Sequence, residues 1–190
     1  MTSAASPEEV FRLGASFEHS AQAIVHSMVV AKGGAFTVSA SIGSAPPGMV
    51  PMVVCMTFSV ELYLKCLVWL ETGAPRQRGH SLVSLFGLIA PARQARVKHH
   101  YDAFIGPHRD RIEATPAPDF GPGSTEFGSA LQVASDGFAD WRYAYERNMV
   151  SGPNLAQYFA YAVRRSIIEV RPDWEQFLTG LSIPPTSLTH

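Results

Sequence analysis

Two side chains of opposite charge lie four positions apart in the middle of an apolar stretch. They are Glu61 and Lys65, within residues 49–72. On a helix this spacing, with the acid first, places both side chains on one face as an ion pair. The pair predicts either a structural ion pair or a polar patch in the core that lines a ligand site. We favour the structural role, because buried charges occur only when paired and such networks are common.

A second polar cluster is the sequence Trp-Arg-Tyr-Ala-Tyr-Glu, which contains Arg142, Tyr143 and Glu146. Arg142 and Glu146 are one helical turn apart and share a face. A guanidinium group suits carboxylate and phosphate equally well. Arg142 is therefore the candidate to pair with Glu61 across the core, and the resulting network with Lys65 would be structural or would hold a ligand.

His80 follows Arg76 and Arg78 in a short basic stretch between two predicted helices. Such a stretch could hold an anion. A single histidine at a helix start more often serves as a cap or a hydrogen-bonding strut. Both interpretations of His80 stay open at this point.

A third group of cations contains Arg93, Arg96, Lys98, His99 and His100. Adjacent histidines on a helix point about 100° apart, so they do not easily bind one metal ion, and a zinc site would need carboxylate or cysteine ligands nearby. The chain also lacks a Walker loop, a dinucleotide-binding glycine pattern, a nucleophile elbow and an HExxH sequence. We expect no metal and no cofactor.

The composition describes an ordinary domain with no strong electrostatic preference. The chain has 190 residues and a formal net charge of −1, which gives no general attraction to nucleic acid or membrane. On one helix Cys55 and Cys66 would be about 16 Å apart, too far for a disulfide. Unpaired thiols and an N-terminus without a secretion signal predict a cytoplasmic protein.

Residues 49–72 form the element that should position these groups. The stretch is apolar on nearly every side and long enough to cross a membrane, but Glu61 and Lys65 near its middle would each cost about 2.5–3.5 kcal/mol there. We therefore predict a buried helix in a protein without membrane contact. Gly73 and Pro75 are typical of residues that end a helix.

The remaining helices are predicted from capping signals and from apolar residues spaced by three or four. Ser6 to Glu9 is a capping-box start, and Pro91 should break the third helix and begin a new one. The predicted buried stripes are Val10, Leu13, Phe17, Ala21, Ile24 and Met28; Leu82, Leu85, Phe86 and Ile89; Val97, Tyr101, Phe104 and Ile105; Phe127, Leu131, Ala134, Phe138, Trp141 and Tyr145; Leu155, Phe159, Val163, Ile167 and Val170; and Trp174, Phe177 and Leu178.

These elements predict an all-α fold in a single domain over residues 1–181. We expect an antiparallel up-and-down bundle of about five helices around residues 49–72, followed by a loose tail at 182–190. Residues 35–48 and 113–125 should be loops, with a short strand or hairpin arm as an alternative within the first. His108 to Arg111 should also be a loop.

The chain resembles the HEPN superfamily (higher eukaryotes and prokaryotes nucleotide-binding). The resemblance is in residues 58–65 (FSVELYLK), in residues 79–82 (GHSL), and in Arg142-Tyr143 followed by Glu146. It spans roughly residues 50 to 170. The resemblance implies a helical bundle, commonly homodimeric, in a superfamily of ribonuclease toxins, defence proteins and nucleotide-binding modules. It also implies a nucleotide or RNA ligand and an antitoxin-like partner protein.

Ribonuclease members of that superfamily carry an arginine and a histidine, separated by four to six residues, near the start of a late helix. The histidine would act as general acid–base and the arginine would stabilise the phosphorane charge. This chain departs from the pattern, because no histidine follows Arg142 until His190. The same spacing elsewhere joins Arg12 to His19, and Arg93 to His99 or His100. Chance alone would produce about one such match.

Three functions remain open from the sequence. The first is a non-catalytic HEPN-like module that dimerises and binds a nucleotide, RNA or another anionic ligand at its polar core. The residues of this core would be Glu61, Lys65, His80, Arg142, Tyr143 and Glu146. The second is a metal-independent ribonuclease, a toxin or defence effector, that uses Arg93 with His99 or His100. The third is a purely structural or interaction bundle.

Overall fold

The computed structural model describes residues 5–31, 48–75, 79–114, 125–142 and 155–180, with the backbone alone at 29–31, 111 and 137–142. Every regular element in these ranges is a helix, which confirms the predicted all-α class. The α-helices are α1 (Pro7–Ala31), α2 (Met49–Thr72), α3 (Leu82–Gly87), α4 (Pro91–Ile105), α5 (Arg109–Ala114), α6 (Phe127–Arg142) and α7 (Ala156–Val170). Two 3₁₀ helices lie at Gly106–His108 and Pro172–Leu178.

Helix α2 lies at the centre of the described part of the chain. It packs against α1, α7, α6 and α3, and its predicted bounds are confirmed. Gly73 ends it in the left-handed conformation, with φ of 74°, and donates its backbone N–H to the carbonyl of Trp69. Among the described helices α2 alone is long and apolar enough to cross a membrane, yet 67% of its most apolar window is buried inside the fold. This degree of burial is what the core helix of a soluble protein shows.

Local capping signals produce the predicted helix starts. The backbone N–H of Glu9 donates to Ser6 Oγ at 3.2 Å, and the Glu9 carboxylate accepts from the Ser6 N–H at 2.6 Å. Pro91 occupies the first turn of α4, which begins afresh after α3. The predicted capping box and the predicted break are therefore both confirmed.

The predicted buried stripe of α1 is partly wrong. Leu13 is 47% exposed, whereas Phe11, Ala15 and Glu18 face the core. A Cβ atom built on Gly14 would lie 2.9 Å from two ring atoms of Tyr63, so the glycine allows α1 to approach α2 closely. Hydrophobic spacing misses this face because a glycine and an acid form part of it.

Other expectations are corrected or lie outside the described residues. His108 to Arg111 are helical rather than a loop, and residues 113 and 114 belong to α5. Val170, placed in the buried stripe of α7, is 39% exposed at the end of that helix. The predictions outside the described ranges are the strand alternative within residues 35–47, most of the second loop and the tail at 182–190.

Candidate functional site

The polar centre of α2 consists of Glu61 and Lys65, and the turn before α3 adds His80. Glu61 is 1% exposed. Its Oε1 accepts a hydrogen bond from Lys65 Nζ at 2.7 Å and lies 3.0 Å from Nδ1 of His80. The predicted pair therefore exists, and the structure adds a histidine to the same carboxylate oxygen.

The contact with Glu61 fixes which side of the His80 ring is free. With Nδ1 donating to the carboxylate, Nε2 points away from Glu61, and the side chain of His80 is 65% exposed. Lys65 is only 16% exposed. A buried acid thus holds one cationic group near the surface and orients an exposed imidazole, an arrangement that suits contact with an anion.

Glu61 Oε2 is buried and has no hydrogen-bond partner in the part of the chain that the structure describes. The predicted partner for this carboxylate was Arg142. The side chain of Arg142, like Tyr143 and Glu146, lies outside the described residues. Within those residues, the partners of Glu61 are Lys65 and His80.

Two of the three side chains proposed for catalysis, Arg93 and His100, converge on an acid that sequence reasoning missed. Glu169 on α7 accepts hydrogen bonds from Arg96 and lies 2.9 Å from Nε2 of His100 and 3.5 Å from Nη1 of Arg93. His99 lies beside this group and is exposed. Hydrogen bonds from Arg96 lower the pKa of Glu169, so its carboxylate is ionised at neutral pH.

The Glu169 carboxylate already pairs with Arg93 and Arg96 and faces His100. Burial is the largest effect on His100 and lowers its pKa, so the ring is mainly neutral at neutral pH. A ring that already faces a carboxylate through Nε2 has no free nitrogen on that side for a 2′-hydroxyl or a leaving group. The contacts of Arg93 and His100 are those of a structural network.

A second buried network joins three helices and was not predicted. Oε2 of Glu18 (α1) accepts a 2.8 Å hydrogen bond from the Tyr63 hydroxyl (α2) and lies 3.2 Å from Nε of Arg164 (α7). Burial raises the pKa of Glu18, and burial also raises the pKa of Tyr63 well above its usual range. The only signal in the sequence was an acid one turn from Gly14, on the face that hydrophobic spacing had rejected.

One Arg–His pair with ribonuclease-type spacing lines a groove. Arg12, Ser16, His19 and Ser20 follow one face of α1 and border a cavity of about 370 Å³, closed on the other side by Phe177. The guanidinium of Arg12 lies 5.1 Å from the centre of the Phe177 ring. This groove therefore combines a cation, an imidazole and two hydroxyl groups.

The described residues offer little for metal or thiol chemistry. No group of three or more His, Cys, Asp or Glu side chains in the described ranges is arranged to hold a metal ion. Both thiols are free. Burial raises the pKa of the Cys66 thiol to about 12, which leaves it protonated and unreactive.

Comparison with known proteins identifies no relative. No protein-family model matches the chain, and neither a curated protein nor a solved structure is significantly similar to it. The fold and the buried polar groups define an all-α protein whose core contains two carboxylates with cationic partners. Its function must therefore be argued from those groups.

Proposed function

We propose that this chain is a HEPN-like helical module, non-catalytic, that binds a nucleotide, RNA or another anionic ligand and works as a homodimer. We further infer that its five long helices form an antiparallel bundle around α2. In a toxin or defence context the module would act together with an antitoxin-like partner protein.

The observation that carries this proposal is the contact of one buried carboxylate oxygen with the Lys65 ammonium group and the His80 imidazole. Glu61 Oε1 is 2.7 Å from Lys65 Nζ and 3.0 Å from His80 Nδ1. The acid limits the freedom of both side chains, which reduces the entropy that a ligand would otherwise lose on binding. Arg76 and Arg78 lie four and two positions before His80 in the sequence. A phosphate near Nε2 of His80 would have the charge of Lys65 nearby, since both side chains contact the same oxygen of Glu61.

The proposed absence of catalysis is supported by the contacts of Glu169. An ionised carboxylate already pairs with Arg93 and Arg96 and faces His100. Stabilising a phosphorane requires an arginine that is free to meet the developing charge. These side chains would first have to leave Glu169.

Fluorescence anisotropy with a labelled single-stranded RNA, and with labelled nucleotides, tests ligand binding. We expect binding that weakens with increasing salt, and a weaker affinity in His80→Ala. His26→Ala is the matched control, because His26 is an exposed histidine on α1. Equal affinities of wild type and His80→Ala would show that the ligand does not bind at this site. No binding of any nucleotide or RNA would leave the structural bundle as the better description.

Light scattering during gel filtration tests the oligomeric state. A homodimer has twice the mass of one chain, and its proportion increases with protein concentration. If the measured mass stays that of one chain while the protein concentration is varied about a hundredfold, the proposed dimer is wrong.

A ribonuclease is the second candidate, favoured by the groove that contains Arg12 and His19. His19 would act as general acid–base and Arg12 would meet the phosphate charge. Mixed RNA incubated with protein and EDTA should then be cleaved, and His19→Ala should abolish cleavage. If cleavage is lost instead in an Arg93→Ala/His99→Ala/His100→Ala variant, the active site lies on α4. An intact RNA pool in every sample favours the binding module.

A further inference from the structure

A small cavity between α7 and the 3₁₀ helix Pro172–Leu178 contains two arginines. Its volume is about 150 Å³. It is lined by Tyr161, Arg164, Arg165, Ile168, Glu175 and Leu178. It is separate from Glu61 and its partners, and no part of the proposed nucleotide or RNA site borders it.

Arg164 is buried with more hydrogen-bonding capacity than its surroundings use. The residue is 8% exposed. Its Nε lies 3.2 Å from Glu18 Oε2, but the geometry is not that of a hydrogen bond, and neither Nε nor Nη2 has an acceptor in the described part of the chain. A guanidinium has five N–H donors. Both atoms are themselves shielded from solvent, and the guanidinium carbon lies 5.7 Å from the centre of the Tyr161 ring. An anion in the cavity would therefore meet the remaining nitrogen, Nη1, of a buried cation that lines the cavity wall.

Arg164 has little negative charge near it to balance its own. Glu18, its nearest acid, also accepts from Tyr63 at 2.8 Å. Burial raises the pKa of Glu18 despite the arginine beside it, so the fold does not favour the ionised acid strongly. At the rim, Arg165 lies 3.9 Å from Glu175, and both side chains are largely in solvent. Such an exposed pair contributes little and is easily opened.

The size and the walls of the cavity restrict the kind of anion. A volume of 150 Å³ equals about five water molecules at roughly 30 Å³ each. Ile168, Leu178 and the ring of Tyr161 supply apolar walls. A carboxylate needs one guanidinium fork and tolerates an apolar tail, whereas phosphate presents oxygens on every side and would lose its water against these walls.

We propose that this cavity is a binding site for a small carboxylate of about four to six non-hydrogen atoms, held by the guanidinium of Arg164 with its aliphatic part against Ile168 and Leu178. Arg165 at the rim attracts the anion. The site goes beyond the proposed nucleotide or RNA binding and does not depend on it.

Isothermal titration with sodium propionate tests the site, with sodium phosphate and sodium chloride at equal ionic strength as comparisons. Propionate should bind and raise the melting temperature, and chloride should do neither. Arg164→Lys should weaken binding about tenfold, because lysine keeps the charge opposite Glu18 but loses the planar fork. Leu178→Trp fills the cavity from a half-buried position, keeps both arginines and should abolish binding.

The outcomes separate this site from the proposed function. His80→Ala should leave propionate binding unchanged, whether or not it weakens RNA binding. A propionate effect no larger than that of chloride overturns the proposal, as does full binding by a folded Leu178→Trp. Phosphate bound more tightly than propionate would overturn the carboxylate class.

Discussion

The hydroxyl of Tyr63 donates a 2.8 Å hydrogen bond to Oε2 of Glu18, which joins α2 to α1 inside the core. The two residues are 45 positions apart in the chain. Burial keeps the tyrosine protonated by raising its pKa, so the hydroxyl remains a donor throughout the physiological range. The bond gives a buried acid a partner besides Arg164.

Tyr63→Phe removes that donor without changing the shape of the ring. We expect a loss of about 1.5–3 kcal/mol in unfolding free energy, because the acceptor is a carboxyl group. Urea unfolding followed by circular dichroism measures it. The matched control is Tyr101→Phe, whose hydroxyl donates to the carbonyl of Thr125 at 3.2 Å. A neutral acceptor predicts the smaller loss of about 1 kcal/mol. Equal losses would show that Glu18 contributes no charge to the bond.

Glu18→Gln tests the pH dependence of this network. Burial raises the folded-state pKa of Glu18 above its ordinary value of 4.5. The folded protein therefore keeps this proton to higher pH than the unfolded chain, and the stability linked to it decreases as pH rises through the folded-state pKa. The stability advantage of wild type over Glu18→Gln should shrink as pH rises from about 4.5.

Urea unfolding of both proteins between about pH 4 and pH 8 checks this slope. A wild-type advantage that grows with pH would mean that attraction to Arg164 outweighs burial. The pH dependence of the stability contributed by Glu169 should have the opposite sign. Hydrogen bonds from Arg96 lower its pKa, so its contribution is present above the unfolded-state pKa and is lost as pH falls.

Gly14→Ala tests the close approach of α1 and α2. The new Cβ would lie 2.9 Å from Cδ1 and Cε1 of Tyr63, a ring that is fully buried. Overpacking of this kind costs about 1–3 kcal/mol. Gly87→Ala is the matched control, since nothing lies within 4 Å of its Cβ position. The midpoint of urea unfolding should fall for the first variant and stay level or rise for the second. A stable Gly14→Ala would contradict the helix contact.

Glu61→Gln tests the polar centre of α2. Replacing the buried carboxylate leaves Lys65 without its counter-charge at 2.7 Å. We expect a loss of about 1.5–3 kcal/mol, measured by urea unfolding. Glu8→Gln is the control, because Glu8 is 42% exposed and 4.0 Å from Arg12, and it should change little. An unchanged stability in Glu61→Gln would mean that Lys65 and His80 add nothing to the fold.

Much of the local structure could be predicted from short-range signals. The bounds Met49–Thr72 of α2, the capping box of Ser6 and Glu9 and the new helix at Pro91 all follow from residues within one or two turns of each other. Glu61 and Lys65 are also neighbours on one helix, so their contact required no knowledge of other elements.

The networks around Glu18 and Glu169 could not be predicted in this way. Glu18 meets residues of α2 and α7, and Glu169 meets residues of α4. Neither acid belongs to a hydrophobic pattern, and each acquires its partners only when separate helices pack together. The contact of His80 with Glu61, two residues assigned to one polar core, depends on the path of the chain between α2 and α3.

The sequence by itself determined that this protein is all-α and that one apolar helix lies at its centre, because helix starts, ends and buried faces depend on residues close together in the chain. Only the tertiary structure decided which charged groups meet, since that depends on how α1 and α7 pack against α2 and how α4 packs against α7. Burial then raises the pKa of Glu18 and lowers that of His100, because removing water raises the free energy of a charged group.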